Sequence, residues 1–142
     1  MLSPYLCKAK TADDYAYYRD RLAEPHLLDQ AVAVVVAFRV SVLAVPVGGT
    51  RQGGFLACTD LWLAFAIREL LAQQPGFPDA RVRVAEDHTV CHQVLWGEPP
   101  PPPHENDVTL GRFFGYSPTA IAAFLRDGPP AARLGRQRGG AR

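Results

Sequence analysis

AVAVVVAFRVSVLAVPV, residues 31–47, decides the fold. Its seventeen residues form the most apolar run in the chain, and they admit two readings, one helix crossing a membrane or two strands inside a core. The run barely reaches spanning length, and Arg39 stands at its midpoint. Insertion scales penalise an arginine there by about 2.5–3.5 kcal/mol. Valine is β-branched, loses side-chain freedom in a helix and suits a pleated surface. Arg39 and Ser41 break the apolar character where one strand gives way to the next. The pattern predicts buried strands over 31–38 and 41–47, and no membrane span.

Working outward, Thr11 or Asp13 is placed to cap a helix over 11–23 that ends near Pro25, with Tyr15, Tyr18 and Leu22 on one face. Downstream, GGTRQGG (Gly48–Gly54) packs four glycines into seven residues, which demands a loop with unusual backbone angles. Thr59 or Asp60 then caps a helix running to about Gln74, where Pro75 and Gly76 stop it. Leu61, Trp62, Leu63, Phe65, Ala66, Ile67, Leu70 and Leu71 make this helix apolar over much of its circumference, and Arg68, Glu69 and Gln73 mark its wet side. Residues 80–96 alternate in two pieces, ARVRVA and TVCHQVLW, as in a β-hairpin with Val82 and Val84 pointing opposite to Arg81 and Arg83.

Five prolines, Pro99–Pro103, then form a stiff polyproline connector rising about 3.1 Å per residue. It serves as a spacer or as a ligand for a proline-recognising partner. Two short helices follow around Gly115. The expected fold is α+β: a small mixed or antiparallel sheet covered by one long helix, with a C-terminal helical hairpin. Residues 1–128 are read as a single domain with the connector inside it, and 129–142 as a flexible basic tail.

A chain of 142 residues suits one domain that buries a core without metals or disulfides. Residues 126–142 carry five arginines against one aspartate, whereas the rest carries ten basic against thirteen acidic residues. A mildly acidic body therefore ends in a basic segment able to touch phosphate, or simply solvated. Cys7, Cys58 and Cys91 show neither C-x-x-C spacing nor a paired framework, so a disulfide scaffold or structural zinc is not expected. The beginning, MLSPYLCKAKTADD, lacks a basic segment followed by an apolar run. The expected location is the cytoplasm.

Two patterns point to contact chemistry or catalysis. Gly111, Gly115, Ile121 and Phe124 stand at offsets 0, 4, 10 and 13. That spacing resembles the helix-turn-helix segments of bacterial regulators over about twenty residues, with a small residue at the crossing, a left-handed turn glycine and two inward apolar residues. On this reading Ser117, Thr119 and Arg126 face base edges, while Arg112, Arg133, Arg136 and Arg138 contact phosphate. Ala122 and Ala123 look more like a packing surface, and the competing reading is a helical hairpin that seals the core.

The catalytic reading uses Cys58, placed before the long helix, where the helix dipole would lower its pKa. His88 or His92 would act as base, with Asp60 or Glu86 orienting the imidazole. Cysteine beside Phe55, Leu56 and Ala57 is equally an inert core residue. His88 and His92, on one strand face, would be roughly 13 Å apart, too far to share a metal. GGTRQGG lacks the lysine and hydroxyl of a phosphate-binding loop and does not match G-x-G-x-x-G. Its setting resembles the acetyl-coenzyme A loop of the acetyltransferase fold, but too few strands precede it. The expectation is a plain turn bringing Arg51 to the surface, with no cofactor and no metal.

Across most of the chain, AVPVGGTRQGGFLACTD, TVCHQVLWGEP and GRFFGYSPTAI are similar to an uncharacterised family of small proteins from filamentous actinobacteria. The resemblance implies one folding unit over residues 12–127 and no activity, ligand or site residue. The favoured function is a non-catalytic accessory or regulatory protein whose hairpin and arginine tail form a candidate contact surface for DNA or a protein. The alternatives are a cysteine-dependent enzyme built on Cys58 with a histidine, or a protein-interaction module.

Overall fold

The computed structural model describes residues 3–37, 40–102 and 104–128. Residues 32–37 and 40–44 are strands, as the valine pattern requires: β2 (Val32–Ala37) and β3 (Val40–Ala44) pair antiparallel, with Val34 opposite Val42. Arg39 lies outside the described residues. A strand not foreseen from sequence, β1 (Tyr5–Lys8), pairs antiparallel with the other edge of β2 and completes a three-stranded sheet.

This sheet is covered on both faces. Ala33, Leu43 and Val45 point into a core shared with Leu22, Leu27 and Leu28, while Val34 and Ala44 point into a second core under the long helix. Burial on both sides is why residues 31–36 read as a continuous apolar run instead of alternating.

The first core is closed by α1 (Tyr15–Arg21), which lays Tyr15 and Tyr18, with Leu22 just beyond it, on the sheet as their spacing predicts. Its acidic start does different work from that expected. Thr11 Oγ1 donates to Lys8 O at 2.7 Å, and neither Asp13 nor Asp14 caps the helix by a side-chain hydrogen bond. Instead Asp13 Oδ2 accepts the Ser41 N–H (3.4 Å) and Asp14 Oδ1 accepts the Leu43 N–H (2.7 Å). The two carboxylates occupy donors on the free edge of β3, which blunts that edge against further strand pairing.

The second core lies under α2 (Leu61–Ala72), where Asp60 Oδ1 accepts from the Trp62 and Leu63 amides as the predicted cap. Ala64, Ile67 and Leu71 face inward, whereas Trp62 and Phe65, expected to belong to the apolar core element, are exposed. The predicted pairing of residues 80–96 is present, as β5 (Arg81–Arg83) against β6 (His92–Gly97). The other edge of β6 is taken by β4 (Gly53–Cys58), so the α+β fold contains two antiparallel three-stranded sheets. The second glycine pair of GGTRQGG thus begins a strand. A Cβ on Gly54 would lie 2.5 Å from Arg51 Nη2 and 2.6 Å from the Trp96 ring, so only a hydrogen side chain fits there.

The chain ends its described course in α3 (Asp107–Phe113) and α4 (Pro118–Asp127), which pack together as the predicted hairpin. No helix among the described residues is long and apolar enough to cross a membrane.

Candidate binding cleft

The hairpin corner follows from its sequence. Asn106 Oδ1 caps α3 by accepting from the Thr109 amide, and Ser117 Oγ caps α4 by accepting from the Ala120 amide. Between them Gly115 takes φ +78°, and two bonds close the end of α3: Gly115 N–H to Arg112 O at 3.0 Å, and Tyr116 N–H to Gly111 O at 2.9 Å. That pair of bonds with a left-handed residue is the Schellman termination, which glycine enters without a Cβ penalty. Gly111 lies where the helices cross, and a Cβ there would come within 2.7 Å of Ile121 Cγ1. Three of the four spaced residues therefore do what their spacing implies. Phe124, expected inward, is 36% exposed.

Four bonds seat this corner on the rest of the protein. Ala23 N–H donates to Gly115 O and Ser117 N–H to Arg21 O, each 2.8 Å, forming a bridge between the exit of α1 and the hairpin turn. Gln52 N–H donates to Phe113 O at 2.8 Å, and Arg51 Nη1 to Phe114 O at 2.8 Å. Arg51, expected at the surface, is only 4% exposed. The glycine loop turns inward because Gly115 allows the Arg51 backbone to lie against the corner and Gly54 allows its guanidinium to lie against the sheet. Its Nε donates to Val45 O at 3.3 Å, and its guanidinium lies 6.0 Å from the ring centres of both Tyr18 and Phe114.

Among the described residues no carboxylate pairs with Arg51. Burial accordingly lowers its pKa from the ordinary guanidinium value, a shift opposed by the neighbouring tyrosines. Burial likewise raises the Tyr18 and Tyr116 phenols, so both are neutral.

Held this way, α1, α3 and α4 enclose a cleft of about 380 Å³. Its apolar lining comes from Tyr17 of α1, from Leu110, Gly111, Phe114 and Tyr116 in α3 and the turn, and from Ala120, Ile121, Ala123 and Phe124 of α4. Asp20, Arg21, Asp107, Thr119 and Asp127 contribute polar groups to the lining. Arg21 is engaged with its own helix: Nη1 donates to Tyr17 O at 3.1 Å, and the guanidinium lies 4.1 Å above the Tyr17 ring. Asp20 pairs with Arg19 at 3.0 Å and Asp127 with Arg126 at 3.2 Å, both at the surface. Asp107 makes no ion pair among the described residues.

The residues proposed for nucleic acid are distributed over this hairpin. Arg112 and Arg126 are exposed, Ser117 Oγ accepts the cap bond from the Ala120 amide, and Thr119 is exposed and lines the cleft. Arg133, Arg136 and Arg138, with the rest of the expected tail, lie outside the described residues.

The catalytic candidates fall elsewhere, at the end of the second sheet. Cys58 and His92 are register partners across β4 and β6, so the structure does bring them together. Their side chains are committed differently from the expectation. Cys58 is 6% exposed and its Sγ donates to Asp60 O at 3.2 Å. Burial raises the thiol pKa, the reverse of the shift expected from the helix dipole. His92 Nδ1 accepts the Ala85 N–H at 2.9 Å. His88 sits in the turn between β5 and β6, not on a strand, so the two histidines share no strand face. Among the described residues no group of three or more His, Cys, Asp or Glu is arranged to hold a metal ion.

The hairpin is legible in the sequence, and the cleft is not. Tyr17, Asp20 and Arg21 meet residues about ninety positions later, and no local pattern announces that meeting. The one available signal was Arg51 between two glycine pairs, since glycine on both sides of a long side chain permits close backbone approach.

Among protein families, the model for the Family of unknown function (DUF6302) matches residues 6–140. No curated protein and no solved structure matches the chain.

Proposed function

The chain belongs to the Family of unknown function (DUF6302), and since that description carries no activity we propose a function from the site itself: a non-catalytic binding protein whose α1–α3–α4 cleft takes an apolar segment of another polypeptide. The observation that carries this reading is an aromatic and aliphatic cleft of about 380 Å³ at the junction of three helices. Pockets of roughly 300–1,000 Å³ with apolar walls and few polar groups are the usual form of a ligand site. Exposed Phe124 adds apolar area beside it.

Two features favour this reading over its rivals. A buried thiol with a raised pKa, donating to a backbone carbonyl, is poorly disposed to act as a nucleophile. Duplex binding by α4 is disfavoured because Ser117 Oγ already accepts the Ala120 amide and Asp127 brings a carboxylate to the end of the helix. The hairpin is then an accessory element that presents a groove, not a reader of bases.

N-phenyl-1-naphthylamine, a neutral dye that brightens in apolar surroundings, provides the test. Saturable brightening at one dye per chain is expected, and Ala123→Trp, which puts an indole into the cleft, is expected to weaken it at least tenfold while the far-ultraviolet circular dichroism stays unchanged. Brightening that survives the substitution in the folded protein would remove the reading.

A further inference from the structure

The proline run that begins at Pro99 has no part in the cleft. Each of Pro99, Pro100, Pro101 and Pro102 is followed by another proline, so its own ring fixes φ and the next ring drives ψ to the extended region. A stretch restricted in this way winds as a left-handed polyproline helix with three residues per turn. Exposure follows that period: Pro99 and Pro102 are exposed, and Pro100 and Pro101 between them are half-buried. Residues three apart share a face, so Pro99 and Pro102 stand one turn, roughly 9 Å, apart on the outward side. These four residues belong to no helix or strand, and among the described residues the carbonyls of Pro99, Pro100 and Pro101 accept no hydrogen bond. Both ends are tied down. Before the run, Gly97 N–H donates to Pro78 O at 2.8 Å and Glu98 N–H to Gln52 O at 3.0 Å; after it, Glu105 N–H donates to Pro102 O at 3.0 Å.

We propose that Pro99–Pro102 is a docking ridge for a partner domain whose groove is lined by aromatic side chains, one of them a tryptophan that offers its indole N–H. Flat rings pack against the outward faces of Pro99 and Pro102, which fit two shallow pockets one polyproline turn apart. The indole N–H supplies a donor that the vacant carbonyls accept and that proline, lacking an N–H, cannot provide for itself. That same lack rules out the other common way of binding an extended segment, addition to a sheet edge, which needs backbone N–H groups from the ligand. The rings and the ties at both ends hold the ridge in shape before a partner arrives, so docking loses little conformational entropy.

The test titrates the full chain into two isotope-labelled probes, an SH3 domain and a WW domain, and follows the groove tryptophan's indole N–H by nuclear magnetic resonance. A synthetic peptide of residues 98–105 is the reference ligand. A saturable shift of the indole resonance is expected with at least one probe, at a concentration no higher than the peptide needs. Pro99→Ala with Pro102→Ala is expected to weaken binding about tenfold or more through the lost ring contacts, while the urea midpoint stays unchanged. Where the double variant unfolds, the two single variants carry the comparison. Pro101→Ala leaves both outward rings in place and is expected to weaken binding by about threefold or less. A peptide that binds while the folded chain does not would show that the ridge is inaccessible, and would overturn the proposal. Probes that neither ligand disturbs would overturn it as well. Binding that survives the paired substitution, or that falls equally with Pro101→Ala, would place the contact elsewhere and end the assignment of the Pro99 and Pro102 face.

Discussion

Replacing Gly111 by alanine isolates the contact on which the hairpin depends. The added methyl would stand 2.7 Å from Ile121 Cγ1 and 3.0 Å from Cδ1, well inside the 3.4 Å at which ordinary contact begins. Ile121 is 9% exposed and cannot swing into solvent without leaving the lining of the cleft. Two effects oppose one another. Alanine is better than glycine in a helix by about 1 kcal/mol, while forcing a methyl into a packed crossing costs about 1–3 kcal/mol. A net loss of roughly 0–2 kcal/mol is expected for Gly111→Ala. Ile121→Ala alone is expected to lose about 2–5 kcal/mol through the cavity it leaves. In the double variant the new methyl enters the vacated space, so the losses should fall short of their sum by about 1–2 kcal/mol. Urea unfolding of the four proteins of this cycle measures the coupling. Additivity within about 0.5 kcal/mol would mean that the side chains do not meet, and the crossing described here would be wrong.

Arg51→Met should loosen the same corner from the other side. Val45 O keeps the Trp96 indole N–H at 2.9 Å, whereas Phe114 O loses its donor, so a stability loss of about 1–3 kcal/mol is expected. Hydrogen exchange should quicken at the Ala23, Gln52 and Ser117 amides, which tie the corner down, more than at Val94 in β6; uniform acceleration would contradict a local role. Asp14→Ala orphans the Leu43 amide and should cost about 1–3 kcal/mol, whereas Asp14→Asn keeps an acceptor and should cost less. Burial raises the Asp14 pKa above its ordinary 3.8, so its native form holds the proton more tightly than the unfolded form. Its stabilising contribution is therefore full below 3.8 and lost as pH rises through the folded value, and Asp14→Asn should abolish that slope in thermal unfolding measured across acidic pH. Among the thiols, exposed Cys91 should react with iodoacetamide before half-buried Cys7, and Cys58 only on unfolding; early modification of Cys58 would revive the catalytic reading.

Elements with a strong local cause were legible in the sequence. The valine run gave its strands through β-branching, Asp60 gave the start of α2 through its side-chain bond to the helix amides, and the paired glycines gave the α3–α4 corner. The two missed strands lack such causes. β1 has four residues and is held only by pairing with β2, while β4 opens on two glycines, which weaken a strand by themselves and are tolerated here because Arg51, Trp96 and Phe113 fill the space. Asp13, expected as a cap, misleads for a related reason. An aspartate before a helix suits a cap equally well by sequence, and only the tertiary approach of β3 draws the Asp13 and Asp14 carboxylates to a sheet edge. Arg51 is the extreme case, since a lone arginine among glycines is indistinguishable from a surface turn until the aromatic residues that surround it are in place.

The cleft inherits this dependence on tertiary contact. Its walls come from α1 and from a hairpin nearly a hundred residues later, and they meet through backbone bonds at Ala23 and Ser117 with Arg51 behind them. Neither element offers the surface alone: α1 contributes Tyr17 and Asp20, and the hairpin contributes Leu110, Ile121 and Phe124. A ligand that touches both walls binds only the folded arrangement, so it must stabilise the protein in proportion to its concentration over its dissociation constant. The same linkage runs backwards. A substitution at the corner that leaves both sheets intact will reduce affinity without altering any residue the ligand touches, which separates a cleft built by the fold from an adhesive patch on its surface.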